Sequence, residues 1–169
     1  MLREILHYPD PRLKQTAAAV KNINGDLVQL VDDMVLTMYA APGIGLAAVQ
    51  IGVPQRIIVL DLNPEEPGKQ LLKLVNPIIT AREGDILWEE GCLSVIDYTA
   101  EVRRAAKVEV KAWTPDEQEI ALQHELDHLD GKLFLDRISR LKRELYTRRV
   151  KKLLREGRPL ESRKGPPAI

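Results

Sequence analysis

The feature that most constrains this chain is His124-Glu125-Leu126-Asp127-His128, because two histidines four residues apart share one face only if the segment is helical. At that spacing both imidazoles can reach one metal ion. Glu125 lies about 100° round the helix from His124, close enough to touch a water held at the metal but not a first choice as ligand. A five-residue match can also arise by chance on a charged surface helix. The apolar neighbours Leu126 and Leu129 argue against that, since they imply a partly buried helix. A catalytic zinc-like site wants three protein ligands and one open position, so a third ligand must come from elsewhere in the chain.

Hydrophobic spacing locates the surrounding elements. From Asp26 to Ala40, the residues Leu27, Leu30, Val31, Met34 and Met38 recur at helical intervals, and Pro42 and Gly43 end the pattern. Ile57-Ile58-Val59-Leu60 is short, β-branched and bounded by Pro54 and Pro64, which predicts a buried strand with Leu71 to Val75 as its partner. Asn63 to Lys69 reads as a solvated loop. Val108, Val110 and Ala112 alternate with Lys107, Glu109 and Lys111, as in a strand with one wet face. A helix containing Gln123 to Leu129 stops at Gly131, and a last helix runs from about Ser139 to Arg155. Tyr8-Pro9-Asp10-Pro11 reads as a rigid turn at which no helix begins. The expected class is α+β, with small antiparallel sheets packed around a central metal-binding helix and a C-terminal helix. At 169 residues and 44% apolar content the chain fits one catalytic domain, residues 1–156, with 157–169 as a flexible tail rich in glycine and proline.

The stretch before the histidine helix is compatible with two arrangements. Thr114-Pro115-Asp116-Glu117 can start a helix, with Thr114 as N-cap and Glu117 completing a capping box. Alternatively the same four residues form a β-turn and Gln118-Glu119-Ile120 begins a returning strand. The second is the preferred expectation, and it requires a strand end and the first helical turns to be missing between Ile120 and Ala121.

Lysine plus arginine and aspartate plus glutamate both number 25, so the net charge of zero favours neither a nucleic-acid coat nor a membrane-surface protein as a whole. The N-terminus lacks the roughly 7–15-residue apolar run of a signal peptide, and no run of about 18 apolar residues occurs anywhere. A cytoplasmic protein without a membrane partner is expected. Locally the last helix is basic: Arg140, Lys142, Arg143, Arg148, Arg149, Lys151, Lys152, Arg155 and Arg158 stand against Glu144 and Glu156. It is either a solvated helix or a polyanion contact.

Candidates for the third ligand are few. His7 lies in a terminal turn without a supporting motif, and Glu144 reads more naturally as a solvated helix residue. Cys92, the only cysteine, is by its type buried filler, a ligand or a nucleophile. Its context is distinctive. Glu90-Gly91-Cys92-Leu93-Ser94 matches an EGCxS motif, the stretch from Gly43 to Gly52 matches GxGxAAxQ, and Gln123 to His128 supplies a third block. Three such motifs in this order resemble the peptide deformylase family, and the likeness covers most of residues 1 to 140.

That resemblance implies one divalent metal per chain, Fe2+ first and Zn2+, Ni2+ or Co2+ as substitutes, held by Cys92, His124 and His128. It implies hydrolysis of the N-formyl group from the initiator methionine of nascent polypeptides, with formate as product. Glu125 would move protons, while the Gln50 side chain and the Leu93 N–H would hold the oxyanion. Ile44, Gly45, Trp88, Glu90 and Gly91, with Ile120 or Ala121, would border the methionine pocket. It also makes the ribosome the polyanion that the basic helix would meet. Val49 and Ile96 stand where the family usually has proline. A zinc endopeptidase would use the same His-Glu pattern on internal amides, and formylated against unblocked peptides would separate the two.

Overall fold

The computed structural model describes residues 1–63, 65–112 and 121–158. Trp113 to Ile120, on which the two arrangements of the segment before the histidine helix differ, lies outside the described residues, as does the tail from residue 159.

Asn24 starts the first helix, α1 (Gly25–Ala40), by accepting a hydrogen bond from the Leu27 N–H at 3.0 Å, which satisfies a donor the helix itself cannot. Its stripe of Leu27, Val31, Met34 and Met38 is buried, as the spacing predicts. A three-stranded antiparallel sheet follows: β1 (Gly45–Ala47), β2 (Ile57–Asp61) and β3 (Leu71–Val75), in that order. The expected pairing of the last two is in register from Ile57 opposite Val75 to Asp61 opposite Leu71. All five residues of β2 are buried, because the sheet is covered on both faces. Ile57 and Val59 pack with the α1 stripe, and Ile58 and Leu60 pack with Leu126 and Leu129.

Two hairpin-like pairs complete the molecule. β4 (Ile78–Glu83) pairs with β7 (Lys107–Lys111), and between them in sequence β5 (Ile86–Cys92) pairs with β6 (Val95–Arg104), all antiparallel. The two remaining helices are α2 (Ala121–Leu129) and α3 (Arg140–Arg155), the latter capped by Ser139. Leu126 and Leu129 of α2 lie in the core under β2, while Tyr146 and Val150 of α3 pack with Cys92, Val95, Val102 and Phe134. The result is α+β, with small sheets around the histidine helix.

One expectation is overturned near the N-terminus. A short 3-10 helix, Pro11–Lys14, begins at the turn that was expected to exclude one. Proline is tolerated there because the first helical residue has no intrahelical partner for an N–H, and the Asp10 side chain caps the turn through the Arg12 N–H at 2.8 Å. Gly131, expected as the stop after α2, has φ of 71°, and a Cβ there would come within 2.6 Å of the Lys14 carbonyl oxygen.

Candidate metal centre

The site lies where α2 meets the turn between β5 and β6. The i, i+4 spacing puts His124 and His128 on one face of α2, their Nε2 atoms 3.1 Å apart. The bend that ends β5, a register shift between Glu90 and Cys92, brings the Cys92 sulfur to 3.3 Å from His128 Nε2. The three donor atoms lie within 4.8 Å of one another, and all three residues are buried. A tetrahedral ion with ordinary metal–nitrogen and metal–sulfur bonds needs donor separations of about 3.3–3.6 Å. The separations of His128 Nε2 from His124 Nε2 and from the Cys92 sulfur, 3.1 and 3.3 Å, are close to that.

Further observations favour a cation at this point. Both carboxylate oxygens of Glu125, and His128 Nδ1, are buried and have no hydrogen-bond partner among the described residues. Burial, and then the neighbouring Glu90 charge, push the Glu125 carboxyl well above the usual carboxylate range. Burial and His124 hold His128 well below an ordinary imidazole, so it offers a neutral lone pair. Burial, then the Glu125 carboxylate, push the Cys92 thiol up, and a thiolate here requires a positive ion beside it.

A buried chain of charges orients His124. Its Nδ1 is 2.9 Å from a Glu90 oxygen, which fixes the ring so that Nε2 faces the centre. Arg104 grips both Glu90 oxygens, at 2.5 and 2.7 Å, and also donates to Asp127 at 2.7 Å. Asp127 in turn accepts from Arg137. Burial alone would raise the Glu90 pKa, but the Arg104 and His124 contacts outweigh it and hold the carboxyl below its usual range. Sequence reasoning missed Arg104, Asp127 and Arg137. Arg104 lies fourteen residues from Glu90 in sequence and stands opposite Ile86 in the β5–β6 register, so no local pattern marks the pair.

The other residues singled out fall as follows. Gln50 accepts from the Ala47 N–H at 2.7 Å, which turns its NH2 toward Ser94 Oγ at 3.2 Å and the Cys92 sulfur at 3.7 Å. Ser94 is a further residue that sequence reasoning did not mark, and its N–H reaches the Cys92 sulfur at 3.4 Å. Leu93 stands in the same turn, against Gly43, where a Cβ would meet its side chain at 2.6 Å. Gly45 faces Glu125. Ile44 is half-buried on the core side of β1 near Leu126, and Trp88 is 45% exposed on β5. Gly91 lies at the register shift beside Cys92. Glu90 was expected to border the pocket. It is fully buried, with its oxygens hydrogen-bonded to Arg104 and His124. His7, on the surface turn, takes no part.

A family model described as polypeptide deformylase matches residues 2–144. The chain belongs to the polypeptide deformylase family. The peptide deformylase of Syntrophobacter fumaroxidans is 47% identical over 164 residues, which cover 91% of this chain and 96% of that protein. The crystal structure of a peptide deformylase from Legionella pneumophila superposes with a TM-score of 0.85 at 41% identity, covering 93% of this chain and 98% of that one. A deformylase from Ehrlichia chaffeensis, solved in complex with actinonin, gives a TM-score of 0.78 at 36% identity, over 89% and 96% of the two chains. As a deformylase the chain is a metal-dependent hydrolase that removes the N-formyl group from nascent peptides. Among the described residues, no helix is long and apolar enough to cross a membrane.

Proposed function

We propose that Cys92, His124 and His128 hold the catalytic ion of this deformylase and that Glu125 is its proton-transfer residue. The observation that carries this is the convergence of three buried donor atoms beside a buried carboxylate with no other partner among the described residues. A divalent ion there supplies Lewis acidity and makes a water acidic enough to act near neutral pH. Fe2+ is the ion proposed, with Zn2+, Ni2+ or Co2+ as substitutes, since all suit a thiolate and two imidazoles.

The chain's own residues do the rest. The formyl carbonyl lies toward Gln50, whose NH2 is aimed at the site because its carbonyl is anchored to the Ala47 N–H. That NH2 and the Leu93 N–H receive the negative charge that develops on the carbonyl oxygen. Glu125 takes a proton from the attacking water and returns it to the departing nitrogen. Gly45 keeps the space beside Glu125 clear. Ile44 and Trp88 border the methionine side chain, and Gly45 and Gly91 admit the peptide backbone.

Residues 1–156 act as one catalytic unit, and a cytoplasmic location fits a nascent-chain substrate. The exposed side of α3 is proposed as a ribosome contact. Some of its charge is internally paired, Arg140 and Arg148 with Glu144 and Arg149 with Asp97. Lys142, Lys151 and Arg155 have no carboxylate partner among the described residues and remain for phosphate. The test is formate release from formyl-methionyl peptides by protein loaded with each metal. Hydrolysis of unblocked peptides instead would overturn the reading.

A further inference from the structure

On the side of α2 away from the paired histidines lies a cavity of about 530 Å³, within the range that takes small molecules. Five guanidinium groups border it, those of Arg56, Arg82, Arg103, Arg104 and Arg137. Three are already engaged. Arg104 and Arg137 hold Asp127, and Arg56 donates to Asp130 at 3.1 Å and to the Pro77 carbonyl at 3.0 Å. Arg82 of β4 and Arg103 of β6 have no carboxylate partner among the described residues, and of the acids lining the cavity only Asp85 is left to face them. With Asp85 facing them, Arg82 and Arg103 leave one net positive charge among the described residues, which a concave wall focuses inward. Beside them the wall is apolar, formed by Ile79 of β4 and Leu126 of α2.

We propose that this cavity is a second ligand site, which takes a small organic oxyanion, a phosphate or carboxylate carried on an apolar body. Arg82 and Arg103 receive the charged end, and Ile79 and Leu126 receive the body. A guanidinium presents two parallel donors to such a group, a match of shape as well as charge. Its volume is that of a small-molecule site. None of these four residues contacts the metal centre through its polar atoms, so the site is separable from deformylation.

The probe is phenyl phosphate, which combines a dianion with an apolar ring. Calorimetric titration of the metal-loaded full chain at fixed ionic strength should give one saturable site. The double variant Arg82→Ser/Arg103→Ser should bind at least about tenfold more weakly, since it loses charged hydrogen bonds. It should release formate from a formyl-methionyl peptide at the unaltered rate. Absence of saturable heat with the wild-type protein, or equal affinity in the double variant, overturns the proposal. A parallel titration with a short single-stranded RNA decides the source of the oxyanion. Tighter binding of the RNA, displaced by phenyl phosphate and lost in the double variant, would overturn the small-molecule assignment.

Discussion

Adding one methyl group at Gly45 should disable the proposed proton shuttle while leaving the metal in place. A Cβ built on Gly45 lies 2.5 Å from Glu125 Oε1, 3.0 Å from its Cδ and 3.1 Å from its Cγ. Ordinary contact needs about 3.5 Å, so the carboxylate must move by about 1 Å. Glu125 is fully buried, so the displaced carboxylate stays inside the site but away from its productive position. A misplacement of about 1 Å at a reacting group costs about 100-fold in rate, equivalent to about 2.7 kcal/mol of transition-state stabilisation. The overpacking itself should lower stability by about 1–3 kcal/mol. The assay pairs formate release from a formyl-methionyl peptide with metal content by emission spectroscopy and a urea midpoint. Gly45→Ala is expected to keep one metal per chain and a folded transition, with kcat/KM down by about 100-fold. Gly25→Ala is the control, because nothing lies within 4 Å of its Cβ position. Activity near the wild-type level in Gly45→Ala, or activity lost only in proportion to metal, would refute the reasoning.

Cys92→Ala should lose the metal along with activity, because two imidazoles alone do not close the site, whereas Glu125→Ala should keep the metal and lose about 100-fold or more in formate release. Metal-to-protein ratios after dialysis separate the two outcomes. Arg104→Met should lower stability by about 3–5 kcal/mol, since Glu90 and Asp127 are left buried without their shared cation, and metal affinity should fall with it; an unchanged urea midpoint would sink this. Burial, and then the hydrogen bond it donates to Asp61 at 2.6 Å, raise Tyr39 from 10.0 to about 12, so the folded state keeps a proton that the unfolded chain releases. Stability from this group is therefore whole below pH 10.0 and is lost as pH rises through about 12, and Tyr39→Phe should flatten that alkaline limb in urea midpoints taken across the window. Replacing Lys142, Lys151 and Arg155 by glutamate should abolish salt-sensitive pelleting with ribosomes without changing deformylation. Removal of α3 is a poorer test, because Tyr146 and Val150 belong to the core around Cys92.

Much of the fold is legible in the order of residues. The i, i+4 histidines, the α1 stripe and the Ile57 to Leu60 run each depend on periodicity, which local geometry dictates, and each forms the element its pattern predicts. The histidine pair and its neighbouring Glu125 could be singled out from spacing alone, whereas Cys92 as third ligand rested on the motif resemblance. Strands β4 and β5 were not legible. β4 is exposed over most of its length and the middle of β5 is exposed as well, so no apolar alternation marks them.

What tertiary structure decided is how charges are shared over distance. The identity of Glu90 as an acid beside Cys92 is local, but its attachment to His124 and Arg104 depends on β5 pairing with β6 and on α2 lying against both. The same packing leaves Glu125 with no partner among the described residues and puts Gly45 against it. Periodicity is a property of neighbours along the chain, and it can be read there. Desolvation and ion pairing depend on which groups from distant segments exclude water from one another, and that exists only once the segments have packed.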